Sequence, residues 1–232
     1  MNLLGLLRAA LDDPALATVA QLARKGGAAA AAEQLDLTGP ASTRPFVVAA
    51  IAAADDGGDR PVLAVTATSR EAEDLAAALA DFLPAEQVTV YPAWETLPHE
   101  RLSPRSDTVG RRLGVLRRLA HPDPTDPARG PVKVVVAPVR SVLQPQLKGL
   151  GDLEPVELKS GDQADLESIA RRLSDLAYAR VDLVTKRGEF AVRGGLLDVF
   201  APTDEHPVRV EFWGDDVDDI RTFAVADQRT IE

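Results

Sequence analysis

Lys186-Arg-Gly-Glu-Phe-Ala-Val-Arg-Gly-Gly-Leu-Leu-Asp-Val-Phe200 is the stretch that decides the fold of the second half of this chain. Two runs that alternate apolar and polar residues meet at a Gly-Gly pair, which predicts two β-strands joined by a tight turn. The stretch and the residues just before it hold four cations within fourteen residues: Arg180, Lys186, Arg187 and Arg193. Because the whole chain has a net charge of -10, overall composition does not explain this basic strand pair. We therefore predict that it is a docking face.

The sequence around this strand pair predicts a small α+β domain. A helix with one apolar stripe is expected from Asp165 to Ala177, and strands should follow it in series. The predicted strands lie near 180–184, 189–193, 196–200, 208–213 and 217–223. Gly214-Asp-Asp supplies the last hairpin turn. A helix followed by antiparallel strands is typical of an α+β fold.

The first half of the chain alternates strands and helices and predicts an α/β domain with a parallel sheet. Pro61–Ala67 is a nearly continuous apolar strand of the kind that is buried on both faces. Thr68-Ser-Arg-Glu71 fits a capping box that opens the following helix. A short strand at Leu35–Thr38 and a helix at Arg44–Ala54 are predicted upstream. Four prolines between His121 and Pro131 exclude regular structure there, so we predict two domains, residues 1–120 and 121–232.

Composition narrows the class of protein. The chain has 232 residues and no cysteine, so it has no disulfide and no thiolate metal site. No apolar run approaches the roughly 20 residues of a membrane-spanning helix, and the first residues lack a secretory signal. An acidic surface argues against broad, nonspecific DNA binding. We expect a cytoplasmic protein.

Candidate catalytic and cofactor sites are weak in this sequence. Gly39-Pro-Ala-Ser-Thr-Arg-Pro-Phe46 lies where a phosphate-binding loop belongs, but Arg44, Pro45 and Phe46 replace the Gly, Lys and Thr that such a loop needs. The three histidines are far apart, and no nucleophile–base motif is present. The acidic run at 215–219 lacks the ligand spacing of a calcium loop. We therefore predict no catalytic residue, cofactor site or metal site, and we assign both tryptophans, Trp94 and Trp213, to packing.

Two interpretations of the basic strand pair remain open from the residues alone. In Glu189–Arg193, alternate residues share a face, so Ala191 and Arg193 lie together while Phe190 and Val192 oppose them. Basic residues commonly point outward from a half-buried antiparallel sheet without any function. Arginine next to an aromatic residue is also the composition of interface hot spots.

Several long strings resemble one family, the bacterial transcription-repair coupling factors (the Mfd family). They are Tyr91-Pro-Ala-Trp-Glu-Thr-Leu-Pro-His-Glu-Arg-Leu-Ser-Pro-Arg-Ser-Asp107, Tyr178-Ala-Arg-Val-Asp182, Arg187–Pro202, Val208-Arg-Val-Glu-Phe-Trp-Gly-Asp215 and Phe223-Ala-Val-Ala-Asp-Gln-Arg229. Together they cover the chain from about residue 35 to its end. The resemblance identifies the chain as the N-terminal, UvrB-homology region of that family.

The resemblance implies a degenerate helicase-like domain of the P-loop type followed by a small α+β domain that binds UvrA. The related repair protein UvrB keeps a phosphate loop that the coupling factors have lost, so ATP hydrolysis is not expected in this segment. The implied UvrA-binding residues are Arg180 and Arg193, with Phe190 on the same motif and Arg187 at the rim. UvrB typically carries another arginine where this chain has Ala191, so one contact is expected to be absent.

In the full-length family member, the resemblance implies an ATP-dependent DNA translocase that uses ATP and Mg²⁺ in its motor domains. That protein displaces stalled RNA polymerase from double-stranded DNA. This segment shows no motor motifs. Two alternatives to a UvrA-binding adaptor stay open: residual ATP binding through Gly39–Phe46, and an intramolecular docking role that masks the same face.

Overall fold

The computed structural model describes residues 4–25, 35–53, 61–96, 100, 103–126, 129–149 and 153–231. The chain divides into two compact units. The first contains residues up to Trp94 together with Val115–Gln146, and the second contains Glu95–Gly114 together with Leu147–Glu232. None of the helices in the described ranges combines the length and the apolar character needed to cross a membrane.

The first unit is built around a three-stranded parallel sheet in the order β1-β3-β2. Its elements are α1 (Leu4–Ala10), α2 (Pro14–Lys25), α3 (Arg44–Ala52), β1 (Val62–Thr66), α4 (Ser69–Leu79), β2 (Val88–Val90), β3 (Val134–Pro138) and α6 (Val139–Leu143), with the second part of α5 (Ser106–Ala120). The predicted α/β class and parallel sheet are confirmed.

Local sequence explains why α4 begins where it does. The Thr68 hydroxyl accepts a hydrogen bond from the Glu71 amide at 3.1 Å, and the Glu71 carboxylate accepts one from the Ala67 amide at 3.2 Å. The first bond satisfies a backbone donor that the first helical turn leaves without a partner. The N-cap half of the predicted capping box is therefore present, while the Glu71 carboxylate bonds one residue before the N-cap amide that a complete box would use.

Two strand predictions in the first unit are wrong. Residues Leu35–Thr38 form no strand. β1 is not buried on both faces, because Leu63 and Val65 are exposed while Ala64 is buried. The face that carries Leu63 and Val65 is covered only over the central strand β3, whose five residues are all buried. The cluster on that face contains Val135 and Ala137 of β3 and no residue of β1.

The predicted boundary at residues 120/121 also differs from the observed division. The proline-rich stretch is irregular where it is described, but β3 follows it and pairs with both β1 and β2. Since β3 is the centre of the first sheet, residues up to Gln146 belong to the first unit. Proline content marked a loop inside that unit rather than its end.

The second unit consists of one helix and a five-stranded sheet, preceded in the chain by the first part of α5. The elements are α7 (Leu166–Asp175), β4 (Ala179–Arg180), β5 (Glu189–Arg193), β6 (Leu196–Phe200), β7 (Val208–Trp213) and β8 (Asp216–Thr222). The strands lie in sequence order, with β4 parallel to β5 and the others antiparallel. The predicted strands β5, β6 and β7 are observed at their predicted residues.

Each face of this sheet has its own apolar cluster. On one face, Phe190, Leu197 and Val210 pack with Ile169 and Leu173 of α7. On the other face, Ala191 and Phe200 pack with Val184 and Phe223, which come from the segments before β5 and after β8. The second cluster covers only part of its face, so the remainder of that face is free to carry charged residues.

Gly110 fixes the position of α5 within the second unit. A Cβ atom on this residue would lie 1.7 Å from the Pro202 carbonyl oxygen. Only glycine allows so close an approach between a helix and a neighbouring backbone.

Candidate partner-binding surface

The partly uncovered face of the five-stranded sheet carries a cluster of ionised side chains, which we call the charged face. It consists of Arg193 on β5, Asp198 on β6, Arg209 and Glu211 on β7, and Arg221 on β8. Strand alternation places these residues opposite α7, because their neighbours Leu197, Val210 and Phe212 lie in the apolar cluster beneath that helix.

Asp198 is the centre of the charged face. Its side chain is 1% exposed, yet both carboxylate oxygens accept hydrogen bonds from guanidinium groups. Arg209 donates from Nε to Oδ1 at 2.6 Å and from Nη2 to Oδ2 at 2.8 Å. Arg193 donates from Nη2 to the same Oδ2 at 2.6 Å. Two arginines therefore share one buried carboxylate.

Arg209 is held more firmly than Arg193. Its two hydrogen bonds to Asp198 form a two-point contact, and its guanidinium lies 4.7 Å from the centre of the Phe223 ring. The hydrogen bond to Asp198 raises the pKa of Arg209 above its ordinary value, with partial burial acting in the opposite direction. Arg193 makes one hydrogen bond to Asp198, and its side chain is 44% exposed. It is the last residue of β5 and precedes the turn at Gly194, whose φ is 61°.

Arg180 lies on the other side of the sheet from Arg193. It is in register with Phe190, and residues in register on neighbouring strands share a face. Phe190 packs beneath α7, whereas Arg193, three residues further along β5, alternates to the charged face. Arg180 is exposed at the end of a two-residue edge strand. The predicted pair of arginines is therefore not a single patch on one face.

Phe190 cannot contact a partner protein directly. Its side chain is 0% exposed and belongs to the apolar cluster under α7. The implied role of Phe190 as a contact residue is corrected accordingly: Phe190 and Val192 point to the cluster beneath α7, while Ala191 and, by alternation, Arg193 point to the opposite face of the sheet.

Arg187 is bound to its own chain. Its guanidinium lies 5.1 Å from the centre of the Phe200 ring, Nε donates to the Asp204 carbonyl oxygen at 2.9 Å, and Nη1 forms an ion pair with Asp107. These contacts join β5's leading turn to the start of α5 and to the loop after β6. Since the side chain keeps 27% exposure, its rim contact stays a prediction.

The turn before β5 is organised by Glu189. Its Oε2 atom accepts hydrogen bonds from the backbone amides of Thr185 and Lys186, both at 2.8 Å. Partial burial acts to raise the pKa of Glu189, but the bonds from these amides and the Thr185 hydroxyl lower it below the ordinary value. The carboxylate therefore holds Lys186 and Arg187 close to the first residue of the strand.

A second ion cluster and an exposed tryptophan complete the charged face. Arg221 pairs with Glu211 and lies 3.6 Å from Asp219. Trp213, at the end of β7, is 83% exposed, so its assignment to packing is wrong. Alternation explains this position, because Phe212 fills the core and Trp213 must point to the opposite face.

The hairpin that carries Trp213 is braced by the segment before α7. The Gly161 amide bonds to the Val217 carbonyl at 2.8 Å, the Val217 amide to the Asp162 carbonyl at 2.8 Å, and the Ala164 amide to the Asp215 carbonyl at 2.7 Å. The backbone that carries the exposed indole is therefore held in place by these three hydrogen bonds.

Sequence reasoning missed five residues of this surface: Asp198, Arg209, Glu211, Trp213 and Arg221. Asp198 carried a usable signal, since a lone carboxylate in the apolar strand Leu196–Phe200 requires a cationic partner when buried. The partner lies on the next strand, and its register is a property of the tertiary structure.

The Gly39–Phe46 loop does not have the geometry of a phosphate cradle. No strand precedes it among residues 35–40. Residues Ala41–Thr43 form a single 3₁₀ turn that leads into α3, and the Thr43 amide and hydroxyl both donate to the Pro40 carbonyl, at 3.0 and 2.7 Å. Across the described ranges, no group of three or more metal-ligating side chains is assembled.

Comparison with known proteins bears directly on this surface. Residues 156–232 match the family model of the UvrB interaction domain, a range that includes α7 and all five strands of the second sheet. The transcription-repair-coupling factor of Mycobacterium bovis is 53% identical over 228 residues, which are 98% of this chain and 17% of the relative. That of Bacillus subtilis is 31% identical over 75% of the chain, and that of Escherichia coli 36% over 60%. The chain spans about one sixth of the length of the relative from Mycobacterium bovis.

Proposed function

The chain belongs to the transcription-repair coupling factor family, and we propose that it is the UvrA-binding adaptor region of such a factor, acting through the charged face and the adjoining edge of the five-stranded sheet. In this role it recruits the nucleotide excision repair machinery to RNA polymerase stalled at a DNA lesion. The chain itself contributes a binding surface and no catalytic step, and it works in the cytoplasm.

One observation carries the proposal: a half-exposed arginine with a surplus of positive charge lies inside the UvrB interaction domain. Arg193 and Arg209 bring two positive charges to the single carboxylate of Asp198, so the cluster has a net charge of +1. Arg209 is mostly covered, while Arg193 reaches the surface. An acidic side chain of the partner would complete the cluster, and guanidinium groups bind carboxylates in a two-point geometry that lysine does not reproduce.

The exposed tryptophan supports a protein partner. Arg193, Leu196 and Glu211 lie in register across three strands, and Trp213 is two residues beyond Glu211. Strand spacing and rise then place the Cα atoms of Arg193 and Trp213 about 12 Å apart. Both residues fit within one standard interface of about 800 Å² per partner, and tryptophan and arginine are the residues most enriched among interface hot spots.

Arg180 extends this surface around the sheet edge. β4 covers only the first two residues of β5, so the β4 side of Val192 and Arg193 has no neighbouring strand among the described residues. A partner seated at this corner can reach Arg180 from the edge and Arg193 from the charged face. Both arginines then contact UvrA, but each contacts a different part of it.

Calorimetric titration of this chain with UvrA from the same organism tests the proposal. We expect a measurable dissociation constant that rises when Arg193 is replaced by alanine. Arg70→Ala is the matched control, because Arg70 is an exposed arginine of α4 outside the UvrB interaction domain. Equal affinity of the wild-type and Arg193→Ala chains, or no binding of UvrA at all, would contradict the proposal.

The larger activities of the family are proposed for the whole protein, of which this chain is a part. They include ATP-dependent translocation on double-stranded DNA and displacement of RNA polymerase. ATP and Mg²⁺ would act in motor regions beyond this segment.

A further inference from the structure

Asp198 is the structural link between the exposed Arg193 and the interior of the second unit. It is the only carboxylate among the described residues that is fully buried, and it accepts three hydrogen bonds of 2.6, 2.6 and 2.8 Å. Its position in the middle of β6, opposite Ala191 on one side and Arg209 on the other, is set by strand register. A carboxylate with this environment has a fixed location.

Arg193 would be a mobile side chain without this carboxylate. An arginine has several rotatable bonds, and ordering them opposes binding. The 2.6 Å bond to Oδ2 of Asp198 restricts those rotations before any partner arrives. Within the part of the chain that the structure describes, this is the one hydrogen bond made by the Arg193 side chain. A guanidinium has five N–H donors, so most of them stay available on the exposed side.

Arg209 in turn fixes Asp198. Its two-point contact sets the plane of the carboxylate, and its stacking over Phe223 holds the guanidinium in place. Phe223 therefore holds the Arg209 guanidinium, and Arg209 orients the Asp198 carboxylate. Asp198 in turn orients Arg193 at the surface.

We propose that Asp198 is a positioning residue of the partner contact, which holds the Arg193 guanidinium in the orientation that binds a carboxylate of UvrA. The inference rests on the proposed function and adds to it the class of ligand, an acidic side chain, and the residue that aligns its receptor.

Positioning and simple charge neutralisation predict opposite changes in UvrA affinity for the substitution Asp198→Asn. If Asp198 only neutralised Arg193, Asp198→Asn would raise the net charge of the cluster from +1 to +2 and strengthen the binding of an acidic partner. If Asp198 aligns Arg193, the same substitution frees the guanidinium and weakens binding despite the added positive charge.

The experiment is a double-mutant cycle read by calorimetric titration with UvrA from the same organism. We expect Arg193→Ala to weaken binding about 30-fold and Asp198→Asn about tenfold. The double variant should fall within about twofold of Arg193→Ala alone, because a positioning residue acts only through the group that it positions. Thermal unfolding of each variant verifies that the folded chain is being titrated.

A second variant covers the case in which Asp198→Asn does not fold. Arg209→Lys keeps a cation beside Asp198 and an apolar stem near Phe223, but it removes the two-point contact. Its expected loss of affinity should vanish in the Arg193→Ala background, whereas an effect of residue 209 that does not act through Arg193 would persist there. Persistence of the loss in that background would overturn the inference.

The outcomes separate this inference from the proposed function. Wild-type binding that Arg193→Ala weakens, together with unchanged or tighter binding by folded Asp198→Asn, would overturn the positioning role and leave the adaptor function standing. Absence of wild-type binding, or indifference to Arg193→Ala, would overturn both.

Discussion

Arg180 and Arg193 lie on opposite faces of the five-stranded sheet, although only twelve residues separate them in the chain. Arg180 is in register with the buried Phe190, while Arg193 bonds to Asp198 on the other face. The two arginines of the sequence motif are therefore independent in structure, with no shared carboxylate among the described residues. This has a measurable consequence for binding.

We expect the effects of Arg180→Ala and Arg193→Ala on UvrA affinity to be additive. Each substitution should cost about 1–2 kcal/mol of binding free energy, and the double variant should equal the sum within about 0.5 kcal/mol, since side chains without common partners do not couple. Calorimetric titration of the four proteins measures this. A coupling energy above about 1 kcal/mol would mean that both arginines grip the same group of the partner.

Phe190 should affect folding and not binding. Phe190→Leu removes part of an aromatic ring from the core beneath α7 and is expected to lower the free energy of unfolding by about 1–2 kcal/mol. The affinity of the folded variant for UvrA should equal that of the wild type. Urea unfolding together with titration separates the two effects; a loss of affinity at unchanged stability would restore Phe190 as a contact residue.

Trp213 should show the reverse behaviour. Its exposed indole contributes little to the core, so Trp213→Ala should change the free energy of unfolding by less than about 0.5 kcal/mol. As an interface residue it should weaken UvrA binding by about 1–2 kcal/mol, which corresponds to roughly five- to 30-fold. The matched control is Leu63→Ala, a substitution of another exposed apolar side chain, which lies on β1 outside the UvrB interaction domain. Equal affinity of the Trp213→Ala and wild-type chains would remove the indole from the interface.

Glu189 should contribute stability that depends on pH. Its pKa is lowered in the folded chain because backbone amides of Thr185 and Lys186 bond to its ionised form. A lowered folded pKa means that the stabilisation is present above the unfolded pKa of about 4.3 and is lost as the pH falls through the folded pKa. Glu189→Gln should therefore destabilise the chain by about 1 kcal/mol at pH 7 and by progressively less below about pH 4.

Urea unfolding of the wild-type and Glu189→Gln chains between pH 3 and pH 7 provides the measurement. A difference in unfolding free energy that stays constant over this range would show that the carboxylate is not ionised in its bonds to the turn. Glu167→Gln, at an exposed position in the first turn of α7, is the control for a general loss of negative charge.

Nucleotide binding by the Gly39–Phe46 loop is expected to be absent. Pro40 and Pro45 supply no amide proton, and the Thr43 amide and hydroxyl are both bound to the Pro40 carbonyl oxygen. A fluorescent ATP analogue should show no saturable binding to this chain at micromolar concentrations. Micromolar affinity that is lost on Arg44→Ala would favour the alternative of a residual nucleotide site.

Much of the second unit follows from the sequence alone. The alternation in Glu189–Arg193 and Leu196–Phe200 and the glycine turn between them determine two strands whose bounds agree with the structure, since side chains on a strand alternate with a period of two. The same alternation correctly assigned Phe190 and Arg193 to opposite faces of the sheet. In the first unit, the proline-rich stretch was a poor guide to the boundary, because a chain can leave a sheet through an irregular loop and return to its centre.

The sequence by itself determined the succession of strands along the chain, the family motif and the chemical character of Arg180 and Arg193. The tertiary structure decided which of these residues meet. Register across β5, β6 and β7 brings Arg193 and Arg209 to one carboxylate and turns Trp213 outward, and it sends Arg180 to the other face. Pairing between strands depends on contacts between residues that are distant in the chain, so no local pattern specifies it.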